Sequence, residues 1–426
     1  MNISEIKIKI NNGDADKEFE MLYQDVLVAR ERYTKACDAF ASVFGERDNV
    51  RIISAPGRTE VGGNHTDHQH GRVLAGSVDL DIIGIVSQNN DGVVRIKSEG
   101  FPQDDILLDN LASRENEVGR AAALIRGVLN YCQEAGYNIG GFDAYTTNNV
   151  MRGSGLSSSA AFEVFVGNVI SFLFNEGKID PVEIAKIGQK AESVYFGKPC
   201  GLLDQSASAL GGFTAIDFKD TTKPVVQQVA YDIESHGYAL CVINTGGNHA
   251  NLTQDYADIT YECRNVSKFF NKSYLRDVNP DEFFDNIAEI KAAYGDRAVL
   301  RAIHFFNEDI RAEKEKVALL DNNFDEFLRL ITESGNSSFK FLQNVYSTSS
   351  VHEQGISLGL ALTEQFISKT GRGACRVHGG GFAGTIQCFL PIEDIADYKR
   401  YIEKTFGEGS CFLLKIRPVG GYELKC

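Results

Sequence analysis

FDAYTTNNVMRGSGLSSSAAFEVFVGNVISFLF, residues 142–174, reads as a strand, a glycine-serine loop and a helix. The helix carries Phe162, Val166, Val169, Ile170 and Phe174 on several sides, which predicts a buried rather than a surface element. In RGSGLSSSAA, residues 152–161, small side chains let backbone N–H groups approach a ligand closely. A helix N-terminus offers unpaired donors and a partial positive charge, and both suit phosphate. The serines add hydroxyls for phosphate oxygens or for a hydrated Mg²⁺. No lysine follows the glycines, so this is not a Walker loop. An ordinary N-cap turn produces the same local pattern, and the choice depends on segments elsewhere.

Outward from this unit, residues 18–44 carry Phe19, Leu22, Val26, Tyr33, Phe40 and Phe44 at recurring positions and read as a long helix ended by Gly45. VRIISAPGR, 50–58, reads as a strand entering a loop, and IIGIVSQNNDGVVRIKS, 82–98, as a hairpin turning at Asn90-Asp91-Gly92. Residues 117–135 return to helix, and Asp180-Pro181 caps and opens another. Residues 212–216 and 226–245 read as strands, followed by a loop at NTGGNHANLT. From about 255 to 370 the pattern is helical, and the end alternates strand, helix, strand. Segregated strands and helices predict an α+β fold.

The chain has 426 residues, too many for one ordinary core, so two domains are expected, divided near 215–225 as 1–220 and 221–426. A content of 43% apolar and 24% charged residues is that of a globular protein. Nine scattered cysteines, with no C-x-x-C pair, argue against a disulfide framework or zinc cage and for reduced thiols. No apolar run approaches membrane-spanning length, and the first residues lack a signal-peptide layout. A cytoplasmic location follows as the expectation. The net charge of −15 disfavours nucleic acid and anionic membranes as partners.

Two further segments are glycine-rich. HGGGFAGT, 378–385, allows close backbone approach between two strands, as a bulge or tight crossing also would. GGNHTDHQHG, 62–71, concentrates His65, Asp67, His68 and His70, so metal ligation is one reading. The spacing matches no common metal signature, and a ligand-reading loop is the other reading.

Taken together, these segments resemble the galactokinase family of the GHMP small-molecule kinases. PGRTEVGGNHTDH (56–68), GSGLSSSA (153–160), FGKPCGLLDQSASALGG (196–212), RAIHFFNEDIR (301–311) and GGGFAG (379–384) stand in family order, from about residue 30 to the end. The resemblance implies a two-lobed GHMP kinase fold, with mixed sheet and helices in each lobe and the active site between them. It implies ATP as co-substrate, Mg²⁺, and phosphorylation of the anomeric hydroxyl of a hexose, by a monomer or weak oligomer. Asp204 matches the catalytic aspartate that takes the sugar's proton. Arg58 matches the arginine that keeps this carboxylate ionised and offsets phosphoryl charge, so the pair is expected to act by positioning as much as by basicity. Gly153, Ser154, Gly155, Leu156, Ser157, Ser158 and Ser159 match the ATP phosphate loop, and Ser159 with Glu192 matches the Mg²⁺ ligands. At about 100° per residue, Ile184, Gly188, Ala191 and Tyr195 share a helix face with Glu192 at its edge. A carboxylate there needs a partner, either a metal-bound phosphate or a nearby basic residue. Asn64, His65, Asp67, Gly201 and Tyr256 match positions that contact the sugar.

Departures from the pattern bear on the substrate. Asn64 stands where the family has glutamate facing the C6 hydroxyl, Glu60 where it has asparagine, and His68 where it has tyrosine. Met151 and Arg152 replace the usual Pro-Leu. An asparagine donates to a carboxylate as well as to a hydroxyl, which opens galacturonate as an alternative to galactose. A non-catalytic galactose- and ATP-binding sensor and a plain metal-binding protein are the other readings. No residues are assigned to the adenine.

Overall fold

The structure is a computed structural model that describes residues 1–150, 155–198, 200–247 and 252–425. Helices α1 (Ile3–Asn12), α2 (Asp16–Leu22) and α3 (Val26–Phe44) precede β1 (Arg51–Gly62), β2 (Arg72–Gln88), β3 (Val93–Ser98) and β4 (Gln103–Leu107). Then come α4 (Ala121–Glu134), β5 (Phe142–Asn148), α5 (Ser158–Phe174), α6 (Pro181–Lys190), α7 (Leu203–Leu210), β6 (Phe213–Asp217) and β7 (Val225–Val229). The rest runs β8 (Tyr238–Asn244), α8 (Thr253–Phe269), α9 (Pro280–Asp285), α10 (Ile287–Tyr294), α11 (Asp296–Leu320), α12 (Phe324–Ser337), α13 (Gly355–Thr370), β9 (Ala374–His378), β10 (Thr385–Pro391), α14 (Ile395–Phe406), β11 (Cys411–Leu414) and β12 (Tyr422–Leu424).

The larger sheet has the order β12-β1-β2-β5-β3-β4, with β6 and β7 continuing from the first half of β2. It is mixed, because β3 runs parallel to β5 while its other pairs are antiparallel. The second sheet, β11-β8-β10-β9, is antiparallel throughout. Helix α5 packs on the large sheet and is buried almost all round, as its apolar residues predict. Helices α13 and α14 share a core with the second sheet, and α8 to α11 enclose a core of their own around Phe283, Phe305 and Phe306. No helix among the described residues is long and apolar enough to cross a membrane.

Three expectations about single elements are corrected. The helix expected over 18–44 is two helices, because Asp25 caps α3 by accepting from the N–H groups of Leu27 (2.9 Å) and Val28 (3.0 Å). Both helices bury their apolar side chains in one cluster with Ile52 and Ile83, so the stripe runs through the break. The strand expected to end at the Pro-Gly-Arg turn continues to Gly62 through irregularities at Pro56/Arg58 and Glu60/Gly62. The expected hairpin at Asn90-Asp91-Gly92 does not form, since β5 lies between β2 and β3. Asn89 Nδ2 donates to Asp143 Oδ1 of β5 and to the Val93 carbonyl, both at 3.0 Å, and thereby ties the turn to the inserted strand. A cut at residue 220 falls between β6 and β7, which pair within one sheet, and the C-terminal β12 joins that same sheet.

Candidate active site

The phosphate loop closes directly on β1. Leu156 is fully buried, and its carbonyl accepts from the Arg58 N–H at 3.0 Å. A Cβ at Gly57 would lie 2.8 Å from that carbonyl, which is why the residue before Arg58 has no side chain. Gly155 turns the loop with φ +73 and presents its carbonyl to the Arg58 guanidinium. Of the expected phosphate-loop residues, Gly155 to Ser159 stand at the start of α5, whereas Gly153 and Ser154 lie outside the described residues, as do Met151 and Arg152. The Leu156 side chain belongs to the core, so only its main chain faces the loop.

Asp204 lies in the first turn of α7, where the chain returns beneath this loop. Arg58 Nε and Nη2 reach its Oδ1 at 2.8 and 2.7 Å, and the Ser157 hydroxyl donates to Oδ2. Ser157 has the left-handed φ of +58, so its hydroxyl is turned away from a capping role and toward the aspartate. The expected catalytic pair is thus locked to the expected phosphate loop, with the carboxylate still about a quarter exposed (27%).

Ser159 and Glu192 also meet, with the hydroxyl donating to Oε1 at 2.9 Å. Glu192 is buried in a π-turn over Ala191–Phe196 that extends α6, at the edge of the face its spacing predicts. Lys198 Nζ reaches the same Oε1 at 3.1 Å, and Gln205 donates to Oε2 at 2.9 Å. Gln205 also donates to Glu163 Oε2 at 2.9 Å, while Oε1 of Glu163 is buried without a hydrogen-bond partner among the described residues. Burial, and then the charge of Glu192, push the Glu163 carboxyl well above its ordinary value. A hydroxyl and a carboxylate side by side, with an ammonium already drawn to the shared oxygen, form a hard-donor set that fits Mg²⁺. Glu163 was legible as the residue four after Ser159 on one helix face, whereas Gln205 and Lys198 gave no signal of their own.

The residues expected at the sugar, in the loop over 62–71 and beyond it, have separate surroundings. His65 Nε2 contacts the Gly380 carbonyl at 2.9 Å, and burial, then neighbouring His68, push it down to about 4. Tyr256 stacks beside His65 at 6.4 Å between ring centroids and donates to the Gly381 carbonyl at 2.9 Å. Asp67 faces Gly201, where a Cβ would lie 3.3 Å from its Oδ2. His68 is exposed, and His70 stacks on Tyr274 at 3.5 Å, away from these groups. Among the described residues no three His, Cys, Asp or Glu side chains gather as a metal site.

Asn64, expected at the sugar, is engaged by the protein in this structure. It is wholly buried, donating through Nδ2 to Glu60 Oε1 and to the Gly379 carbonyl, both at 2.8 Å. Its Oδ1 accepts from Asn344 at 2.8 Å and from Ser338 at 3.3 Å. With both amide hydrogens and the carbonyl engaged by protein, the side chain has nothing left for a ligand.

The family model described as GHMP kinases N terminal domain matches residues 123–212, which include the phosphate loop and Asp204. The galactokinase galactose-binding signature matches residues 38–88, which include the sugar loop. The chain is 30% identical over 358 residues to a galactokinase of Actinobacillus pleuropneumoniae serotype 3 (strain JL03), covering 84% of this chain and 89% of that one. It is 29% identical over 404 residues to a galactokinase of Bacillus subtilis (strain 168), covering 91% and 97%. In fold it is similar to Lactococcus lactis galactokinase complexed with galactose, at TM-score 0.75 and 24% identity over 90% of this chain and 98% of that one. The Methanococcus jannaschii mevalonate kinase shares the fold at TM-score 0.61 and 15% identity, over 87% and 99%. A phosphate loop locked to an Arg–Asp pair, a sequence related over most of its length and a shared architecture lead to one statement: this chain belongs to the galactokinase family of the GHMP kinases.

Proposed function

We propose that this chain transfers the terminal phosphoryl group of ATP to the anomeric hydroxyl of galactose, giving galactose 1-phosphate and ADP. The observation that carries this reading is the Arg58–Asp204 pair at 2.7 Å, tied through Ser157 and the Gly155 carbonyl to the phosphate loop. An anomeric hydroxyl set against Asp204 gives up its proton to that carboxylate as its oxygen bonds to phosphorus. Arg58 offsets the charge that develops on the transferred group, and phosphoryl transfer depends mainly on such positioning. The backbone N–H groups at the start of α5, with Ser157 and Ser158, cradle the ATP phosphates. His65, Asp67, Gly201 and Tyr256 line the sugar side.

Ser159 and Glu192 would hold Mg²⁺, which when bound neutralises charge on the phosphate oxygens. Lys198 gives way to that cation or turns to a phosphate. The resemblance supports a monomer or weak oligomer. The cysteines free among the described residues, with the acidic net charge, support a reducing cytoplasm and no nucleic-acid or membrane partner.

Turnover tests the reading. Asp204→Ala is expected to lower kcat about 10²- to 10⁴-fold with the galactose KM changed less than about threefold. Full activity in Asp204→Ala would remove the assigned mechanism. Saturable sugar and ATP binding by the wild type without product would favour the sensor reading instead.

A further inference from the structure

The carboxylate and the amide at positions 60 and 64 hold each other, and only one of them is open to a ligand. Glu60 Oε1 accepts from Asn64 at 2.8 Å and from Arg376 Nη2 at 3.2 Å, while Oε2 takes neither bond. The Glu60 side chain keeps 14% of its surface, whereas Asn64 keeps none. Between Arg58 and Glu60 the register of β1 against β2 is unbroken, so alternation puts both side chains on one face of the strand. That face carries the Arg58–Asp204 pair. Burial raises the Glu60 carboxyl above its ordinary value, and Arg376, the Asn64 hydrogen bond and the Arg58 guanidinium act against that rise, with the charge of Asp67 adding to it last. Its position is rigid, because Arg376 is fully buried and also donates to the Val61 carbonyl, and because Asn64 is fixed by three further partners.

We propose that Glu60 is the specificity-determining residue of the sugar pocket, its open carboxylate oxygen accepting from a hydroxyl of a neutral hexose and repelling sugar acids, with Asn64 the positioning residue that aims it. The proposal rests on the reading of this cleft as a sugar-kinase site. It removes the ground for galacturonate, because the charge missing at position 64 stands four residues earlier, on β1 as it leads into that loop. A fixed carboxylate facing a sugar acid is a like-charge contact in a partly buried site, and such contacts cost enough to decide specificity.

Equilibrium titration of galactose and of galacturonate into the wild type and Glu60→Gln tests it, with ATP turnover read separately. The wild type is expected to bind galactose at least about 30-fold more tightly than galacturonate. Glu60→Gln is expected to weaken galactose about tenfold and to bring the two sugars within about threefold of each other. A purely structural role would weaken both sugars equally and keep their ratio. Asn64→Ala should move the ratio in the same direction with the KM for ATP unchanged. A wild type that binds galacturonate as tightly as galactose overturns the proposal, as does a Glu60→Gln protein with the wild-type ratio. The wild-type comparison stands even if the variants fold poorly. Sugar discrimination without turnover supports Glu60 and defeats the kinase reading, whereas turnover of both sugars alike does the reverse.

Discussion

Each residue at this site is defined by what it is bonded to. Ser157, which the serine run groups with phosphate binding, also ties the loop to Asp204, because its left-handed backbone turns the hydroxyl across to α7. Glu192 holds Ser159, Lys198 and Gln205 at once, so replacing it should act on the cation before it acts on the sugar. Glu192→Gln is expected to raise the Mg²⁺ needed for half-maximal rate by about tenfold or more at unchanged galactose KM, read by magnesium titration at fixed ATP. His378 ends β9 between Thr59 at 3.1 Å and Thr385 at 2.8 Å, and burial, then Arg58, push it down to about 3. Unfolding releases it to an ordinary histidine pKa near about 6.5, so the unfolded chain binds the extra proton as pH falls from there toward about 3. Its contribution is therefore complete above about pH 6.5 and is lost on acidification. His378→Gln should reduce the stability lost between pH 7 and pH 5 by about 2 kcal/mol relative to the wild type, measured by urea unfolding at both values. Buried acids raised by the fold, such as Glu163, push the other way and those lowered by it, such as Asp81, push the same way, but all are common to both proteins and cancel in the difference.

Elements were legible where the local pattern was also the tertiary one. The strand, loop and buried helix across residues 142–174 stand as β5 and α5, and Asp180-Pro181 opens α6. The hairpin after β2 failed because a turn signal reports only that the chain reverses, not which strand will lie beside it. Packing between α5 and β2 is similarly invisible locally. Gly84 of β2 lies directly under Phe165 of α5, where a Cβ would come within 2.2 Å of the ring. Gly84→Ala is expected to destabilise the fold by about 1–3 kcal/mol in chemical denaturation, and Phe165→Leu added to it should recover part of that loss. A neutral Gly84→Ala would mean that the helix shifts freely on the sheet.

At the scale of the molecule, the chain ends are tied through one buried carboxylate. Asp81 of β2 receives Arg32 of α3 at 2.5 Å and Arg417, just before β12, at 3.1 Å, with Tyr23 and Ser54 completing its shell. Burial alone would raise Asp81, but the two guanidinium groups outweigh it and hold it below the ordinary carboxylate value. Asp81→Asn leaves buried cations short of their counter-charge and should cost about 3–5 kcal/mol, seen as a lower Tm with faster hydrogen exchange near residues 23–32 and 417–424. A cost below about 1 kcal/mol would assign the closure of the molecule to apolar packing instead. By itself the sequence determined the family and the α+β class and singled out Arg58 with Asp204 and Ser159 with Glu192, side chains that the fold brings into contact, because glycine turns, helix starts and buried faces are imposed by neighbours within a few residues. Only the tertiary structure decided that β5 separates β2 from β3, that β12 closes the first sheet, and that Asn64 is wholly buried while Glu60 keeps part of its side chain exposed. Those outcomes depend on partners hundreds of residues away, such as Arg376, Asn344 and Arg417, whose hydrogen bonds leave no periodicity for a reader of the chain to find.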